Sequence, residues 1–156
     1  MLRKSFMFLI AAGAMAIAMA NAKSASAQGT AGFSSDAYIA NAGKTYRVVS
    51  SVYVYPSGKI STYRLNVGQL GSTTGFYGWV SKVNFISNNE VVFEASGFYG
   101  KSRANLIMYM CSDGINSRLG FKIEVNGVVR MSSGALVPDE PKPLIKGRIS
   151  IFPPSW

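Results

Sequence analysis

The chain has 156 residues, with 16 Lys and Arg against 7 Asp and Glu, one cysteine and no histidine, for a formal net charge of +9. The lack of histidine excludes Ser-His-Asp and Cys-His nucleophilic centres and every metal site built on imidazole. A single cysteine excludes thiolate zinc cages and any intrachain disulfide, so no cofactor or metal is expected.

The N-terminal 27 residues read as a secretory signal peptide. Arg3 and Lys4 precede an apolar run from Phe6 to Ala20, and Ala25-Ser26-Ala27 fits a cleavage site; cuts after Ala20 or Ala22 obey the same rule. The apolar run is shorter than the roughly 20 residues that span a bilayer, so secretion or export to the periplasm is expected, without a transmembrane anchor. Cleavage removes Arg3, Lys4 and Lys23 and leaves a moderately basic chain of one-domain length. Its charge favours anionic neighbours, acidic polysaccharide or another envelope or extracellular protein among them, while export argues against intracellular nucleic acid. The same excess also serves plain solubility.

Residues 28–43 are small, polar and rich in Gly, Ser and Ala. Two readings stand for them, a flexible arm and a weak first strand. From residue 44 to 156 the pattern has period two. Leu119, Phe121, Ile123 and Val125 alternate with Gly120, Lys122 and Glu124; Ala104, Leu106, Met108 and Met110 alternate with Arg103, Asn105, Ile107 and Tyr109; Tyr63, Leu65 and Val67 alternate with Arg64 and Asn66. Such alternation marks strands with one packed and one wet face. Turn chemistry falls at Pro56–Lys59, Ser87–Glu90, Ser112–Ser117 and, most specifically, at Asn126-Gly127, a pair suited to the two left-handed positions of a type I′ hairpin. Gly68–Gly75 and Ser132–Pro143 read as loops. About eight strands result, near 45–55, 60–67, 76–86, 91–96, 103–111, 118–125, 128–132 and 145–152. The expected fold is all-β, a single antiparallel sandwich or a small closed barrel.

Gly-Phe-Tyr-Gly occurs twice, at Gly75–Gly78 and Gly97–Gly100. Glycines that relieve bends and aromatic pairs that cover sheet ends account for the repeat as a hairpin-scale device; a paired aromatic platform for a ligand is the functional alternative. Among carboxylates, Glu90 and Glu94 on one strand would lie about 13 Å apart at roughly 3.3 Å per residue. A glycosidase pair needs roughly 5 to 9.5 Å. Outward strand positions supply Arg47, Arg64, Lys82, Arg103 and Lys122, with Lys101 near a strand end. Charged outward positions are ordinary and discourage edge pairing. Combined with Tyr77, Trp79 and Tyr99, however, they compose a basic and aromatic face able to stack on sugars and hold anionic groups. Trp79 shares odd numbering with Val83 and Phe85, which by simple alternation makes it core.

The leading expectation is therefore a non-catalytic, exported binding module for a glycan, an anionic polymer or an envelope partner, acting through Tyr77, Trp79, Tyr99, Lys101, Arg103, Arg64, Lys82 and Lys122. The alternative is an envelope assembly or fibre-associated protein that pairs through a strand edge. Two lesser readings are a histidine-free barrel isomerase or cyclase, which requires an interior carboxyl beside Tyr or Arg, and a small outer-membrane barrel.

Overall fold

A computed structural model describes residues 30–113, 116–133 and 145–155. The expected signal peptide with its cleavage sites, and most of the Ser132–Pro143 loop, lie outside the described residues. Contacts divide the chain into two units. In the first, the described residues are Thr30, Ala31, Val54–Lys59, Pro154 and Ser155; its turn is closed by Tyr55 N donating to Lys59 O (2.9 Å) and Gly58 N to Tyr55 O (2.8 Å), with Gly58 at φ 90°. The second, Gly32–Tyr53 with Ile60–Pro153, carries the sheet.

Nine strands form one sheet: β1 (Ala31–Asn41), β2 (Lys44–Val54), β3 (Ile60–Gln69), β4 (Gly75–Ser87), β5 (Glu90–Tyr99), β6 (Ser102–Cys111), β7 (Arg118–Val125), β8 (Val128–Ser133) and β9 (Ile145–Phe152). Their order is β8-β7-β6-β5-β4-β3-β2-β1-β9. Short connections explain the meander, because a two-residue turn can only return the chain beside the strand it left. Asn126 and Gly127 (φ 53° and 78°) make the expected left-handed pair, and Ala42 and Gly43 (φ 52° and 76°) make a second one.

The all-β expectation holds, and three of its details are corrected. There is a ninth strand, since residues 31–41 form β1, with Ala31, Phe33, Ala37 and Ile39 fully buried. Instead of a two-layer sandwich there is one curled sheet. Phe33 on β1 and Phe93 on β5 stack with ring centres 4.6 Å apart, and Tyr46 on β2 meets Phe121 on β7 edge-on at 5.3 Å. In a flat sheet, with strands spaced about 4.8 Å, those pairs would be separated by about 19 and 24 Å. Finally, no ladder between β8 and β9 closes the sheet into a barrel among the described residues. Instead β9 is tied to the β6–β7 connection, through Ile145 N to Ser117 O (3.1 Å) and Ser112 Oγ to Ile149 O (2.8 Å).

The concave face is filled by Phe33, Phe76, Phe93, Phe121, Met108 and Met110, all fully buried. Each such side chain contributes on the order of 1.5–3 kcal/mol of burial free energy. The buried polar residues among those described are Ser35, Ser50, Ser117 and Ser133, with the Ser35 and Ser50 hydroxyls 2.6 Å apart. The interior thus presents no carboxyl beside a Tyr or Arg among the described residues.

One irregularity decides what the outward face carries. Val80 stands opposite Ala95 and Lys82 opposite Glu94, so Ser81 is an extra residue on β4. A β-bulge of this kind inverts the alternation beyond it. Val83 and Phe85 pack against the core, whereas Trp79 points outward with 56% of its surface exposed. Placing Trp79 in the core by odd numbering is therefore wrong.

Candidate functional site

The two Gly-Phe-Tyr-Gly segments lie side by side. In the β4–β5 ladder Phe76 faces Tyr99, Tyr77 faces Phe98 and Gly78 faces Gly97. The glycines serve close backbone approach more than bends. A Cβ on Gly97 would fall 2.0 Å from Tyr77 O, and one on Gly78 would fall 2.3 Å from Ser96 O. No side chain fits there. Of the eight residues, only Gly100 (φ 63°) occupies a left-handed turn position.

Close approach of β4 and β5 gathers aromatic rings on the outward face. The Tyr77 and Phe98 centroids are 5.6 Å apart, and Tyr77 meets Trp79 at 6.5 Å with the planes at 70°. The ladders extend this cluster into two cross-strand rows. The first reads Asn66, Tyr77, Phe98, Arg103, and the second Trp79, Ser96, Asn105, Glu124. Between Trp79, Phe98, Arg103, Asn105 and the Asn126-Gly127 turn lies a groove of about 560 Å³. Beside it a smaller hollow of about 210 Å³ is lined by Ser81, Glu94, Lys122 and Glu124, and shares Ser96 and Asn105 with the groove.

The residues singled out from sequence divide accordingly. Trp79 and Arg103 line the groove, and Tyr77 lies beside it, against the Trp79 and Phe98 rings. Tyr99 does not join them: it faces inward beside the core, with the Arg130 guanidinium over its ring at 5.7 Å. Phe98 takes its place, and the signal was available, because Val91, Phe93 and Ala95 assign odd positions of β5 to the interior. Lys101 is exposed in the β5–β6 turn, outside both hollows. Lys122 lines the small hollow and is paired with Glu124 at 3.0 Å. Lys82 stands opposite Glu94. Arg64 is exposed on β3, two residues from Asn66 in the first row. The expected basic face is therefore interrupted on its β5–β7 side by carboxylates.

Two other outward clusters escape sequence reasoning. Tyr63 is 69% exposed and meets Tyr53 edge-on at 5.4 Å; the alternation on β3 slips there, leaving Tyr63 and Arg64 both outward rather than on opposite faces. At the far end of β5–β6 the Tyr109 hydroxyl donates to Glu90. Burial first, and that bond second, hold the Tyr109 phenol well above its ordinary value, and burial likewise raises the Cys111 thiol. A thiol kept protonated is a poor nucleophile. Among the described residues no group of three or more Cys, Asp or Glu converges on a metal position.

Comparison with known protein families, with characterised proteins and with solved structures yields no match, so the reading of this face rests on its geometry.

Proposed function

We propose that this chain is an exported, non-catalytic binding module that recognises a glycan through the outward face of β4–β6. The observation that carries the reading is the outward Tyr77–Trp79–Phe98 cluster, in which Tyr77 and Trp79 are exposed and Phe98 is half-buried, beside a groove lined by Trp79, Phe98, Arg103, Asn105 and Asn126. Rings in water cost solubility and gain nothing from the core, whereas sugar faces present C–H groups that stack on them. Around the rings, guanidinium and amide groups offer the hydrogen bonds that hydroxyls and carboxylates need. The face is preorganised, since the rings sit on paired strands and not on loops.

The test is calorimetric titration with an oligosaccharide panel, for the unmodified protein and for Trp79→Ala. Because Trp79 is exposed, the substitution should leave the melting temperature unchanged. It should weaken binding about tenfold, on the order of 1.4 kcal/mol. Full affinity in Trp79→Ala would refute the reading.

A second reading, assembly through a strand edge, draws on β8. It is the last strand of the sheet and exposes Val128 and Val129. Sedimentation that shows association rising with protein concentration, and abolished by Val129→Lys, would favour it.

A further inference from the structure

Several cations of the sheet already have partners. Arg47 on β2 donates Nε to Oδ1 and Nη2 to Oδ2 of Asp36 on β1, each at 3.0 Å, and lies 5.6 Å over the Tyr38 ring. Lys122 is paired with Glu124, and Arg130 covers Tyr99. Arg103 differs. Among the described residues it forms no ion pair and stacks over no ring, although Phe98 stands directly opposite it. It is exposed and lines the groove, whose lining holds no second cation and no carboxylate.

A guanidinium so placed suits one singly charged acid. Its planar fork matches the two oxygens of a carboxylate, while a dianionic phosphate would stay half-neutralised with no second cation along the groove. Trp79 and Arg103 stand two strands and two residues apart in the ladders. That is about 12 Å between backbones at roughly 4.8 Å per strand and 3.3 Å per residue. Both line the same groove, so a pyranose stacked on the indole can carry a ring carboxylate to the guanidinium. Ser96 Oγ donates to Asn105 Oδ1 (3.3 Å), which leaves the Asn105 amide N–H groups for sugar hydroxyls. We propose that the groove selects a single uronate residue, with its carboxylate on Arg103, its ring face on Trp79 and an uncharged sugar as its neighbour. The neighbour's lack of charge follows from the small hollow past Ser96 and Asn105. There Glu94 and Glu124 stand against one cation, Lys122, and a second carboxylate would be repelled. This inference rests on the glycan reading of the groove and adds the charge of the bound sugar and of its neighbour.

The experiment titrates the full chain with four disaccharides at low and at physiological salt: cellobiose, cellobiose oxidised to carry one uronate, the same with two uronates, and cellobiose 6-phosphate. The variants are Arg103→Gln, Trp79→Ala and Lys44→Gln, the last a control with equal charge loss outside both hollows. The monouronate should bind about tenfold tighter than cellobiose at low salt, with the gain falling as salt rises. The diuronate and the phosphate should bind no tighter than the monouronate. Arg103→Gln should bring the monouronate down to the affinity of cellobiose and leave cellobiose unchanged. Trp79→Ala should weaken every ligand, and Lys44→Gln none. Three results overturn the uronate inference: equal affinity for cellobiose and the monouronate, tightest binding of the diuronate or the phosphate, or an equal loss of preference in Lys44→Gln. Each leaves the groove reading intact if Trp79→Ala still weakens binding. An acid preference that Arg103→Gln abolishes and Trp79→Ala leaves untouched overturns the groove reading, and the uronate site with it. No binding of any disaccharide by the unmodified protein overturns both.

Discussion

The Tyr77–Phe98 row and the Asp36–Arg47 cluster lie on the same face of one sheet, yet they are positioned by different means. Around the row, placement comes from the backbone: Gly78 and Gly97 bring β4 and β5 too close for any side chain, and the rings have no freedom to separate. Around Asp36, placement comes from the side chains themselves. The ion pair is bidentate, but Arg47 and Asp36 are about half exposed. Water and salt compete for such a pair. The difference teaches where rigidity resides in this molecule: rings are held as part of the scaffold, charges as adjustable attachments to it.

The largest expected effect comes from breaking the first of these. Gly97→Ala forces a methyl group against Tyr77 O and should cost about 3 kcal/mol in urea-induced unfolding. Binding at the groove should weaken with it, as Tyr77 and Phe98 move apart. An unchanged unfolding midpoint would show that the backbone does not hold the rings. A middle effect belongs to Tyr109, whose hydroxyl is half-buried against Glu90. Tyr109→Phe should cost about 1 kcal/mol at neutral pH. Its phenol keeps its proton more firmly folded than unfolded, so its contribution is complete below the ordinary tyrosine value near 10 and is lost as pH rises through the raised folded value. Thermal melts at rising alkaline pH should therefore show a decline that Tyr109→Phe lessens. Asp36→Asn should have the smallest effect, a melting shift near the error of measurement in physiological salt. Its folded carboxyl is held low, so the pair contributes above the ordinary aspartate value and fades as pH falls through the lowered one. A large shift for Asp36→Asn would erase the contrast between the two regions.

Much of the fold was legible because alternation is a local signal. Leu119, Phe121, Ile123 and Val125 point inward as expected, and Asn126-Gly127 turns as expected. The first strand was less so, since Ala31, Ser35 and Ala37 are small and carry little hydrophobic contrast, and only its tertiary neighbours show that it is buried. Curling into one sheet was beyond reach, as it depends on which distant rings meet, Phe33 with Phe93 and Tyr46 with Phe121. Within the site, Phe98 could have been chosen over Tyr99 by extending the parity of Val91 and Phe93. The outward position of Trp79 could not, because the bulge at Ser81 has no side-chain signature.

That bulge has a genetic consequence. One surplus residue lets a single strand present an indole to water and, a few positions later, deliver Val83 and Phe85 to the interior. Deleting the triplet that encodes Ser81 would pit those two demands against each other. The ring would turn inward, or Val83 and Phe85 would turn out. A ring able to stack on sugar is separated from a featureless exterior by one codon.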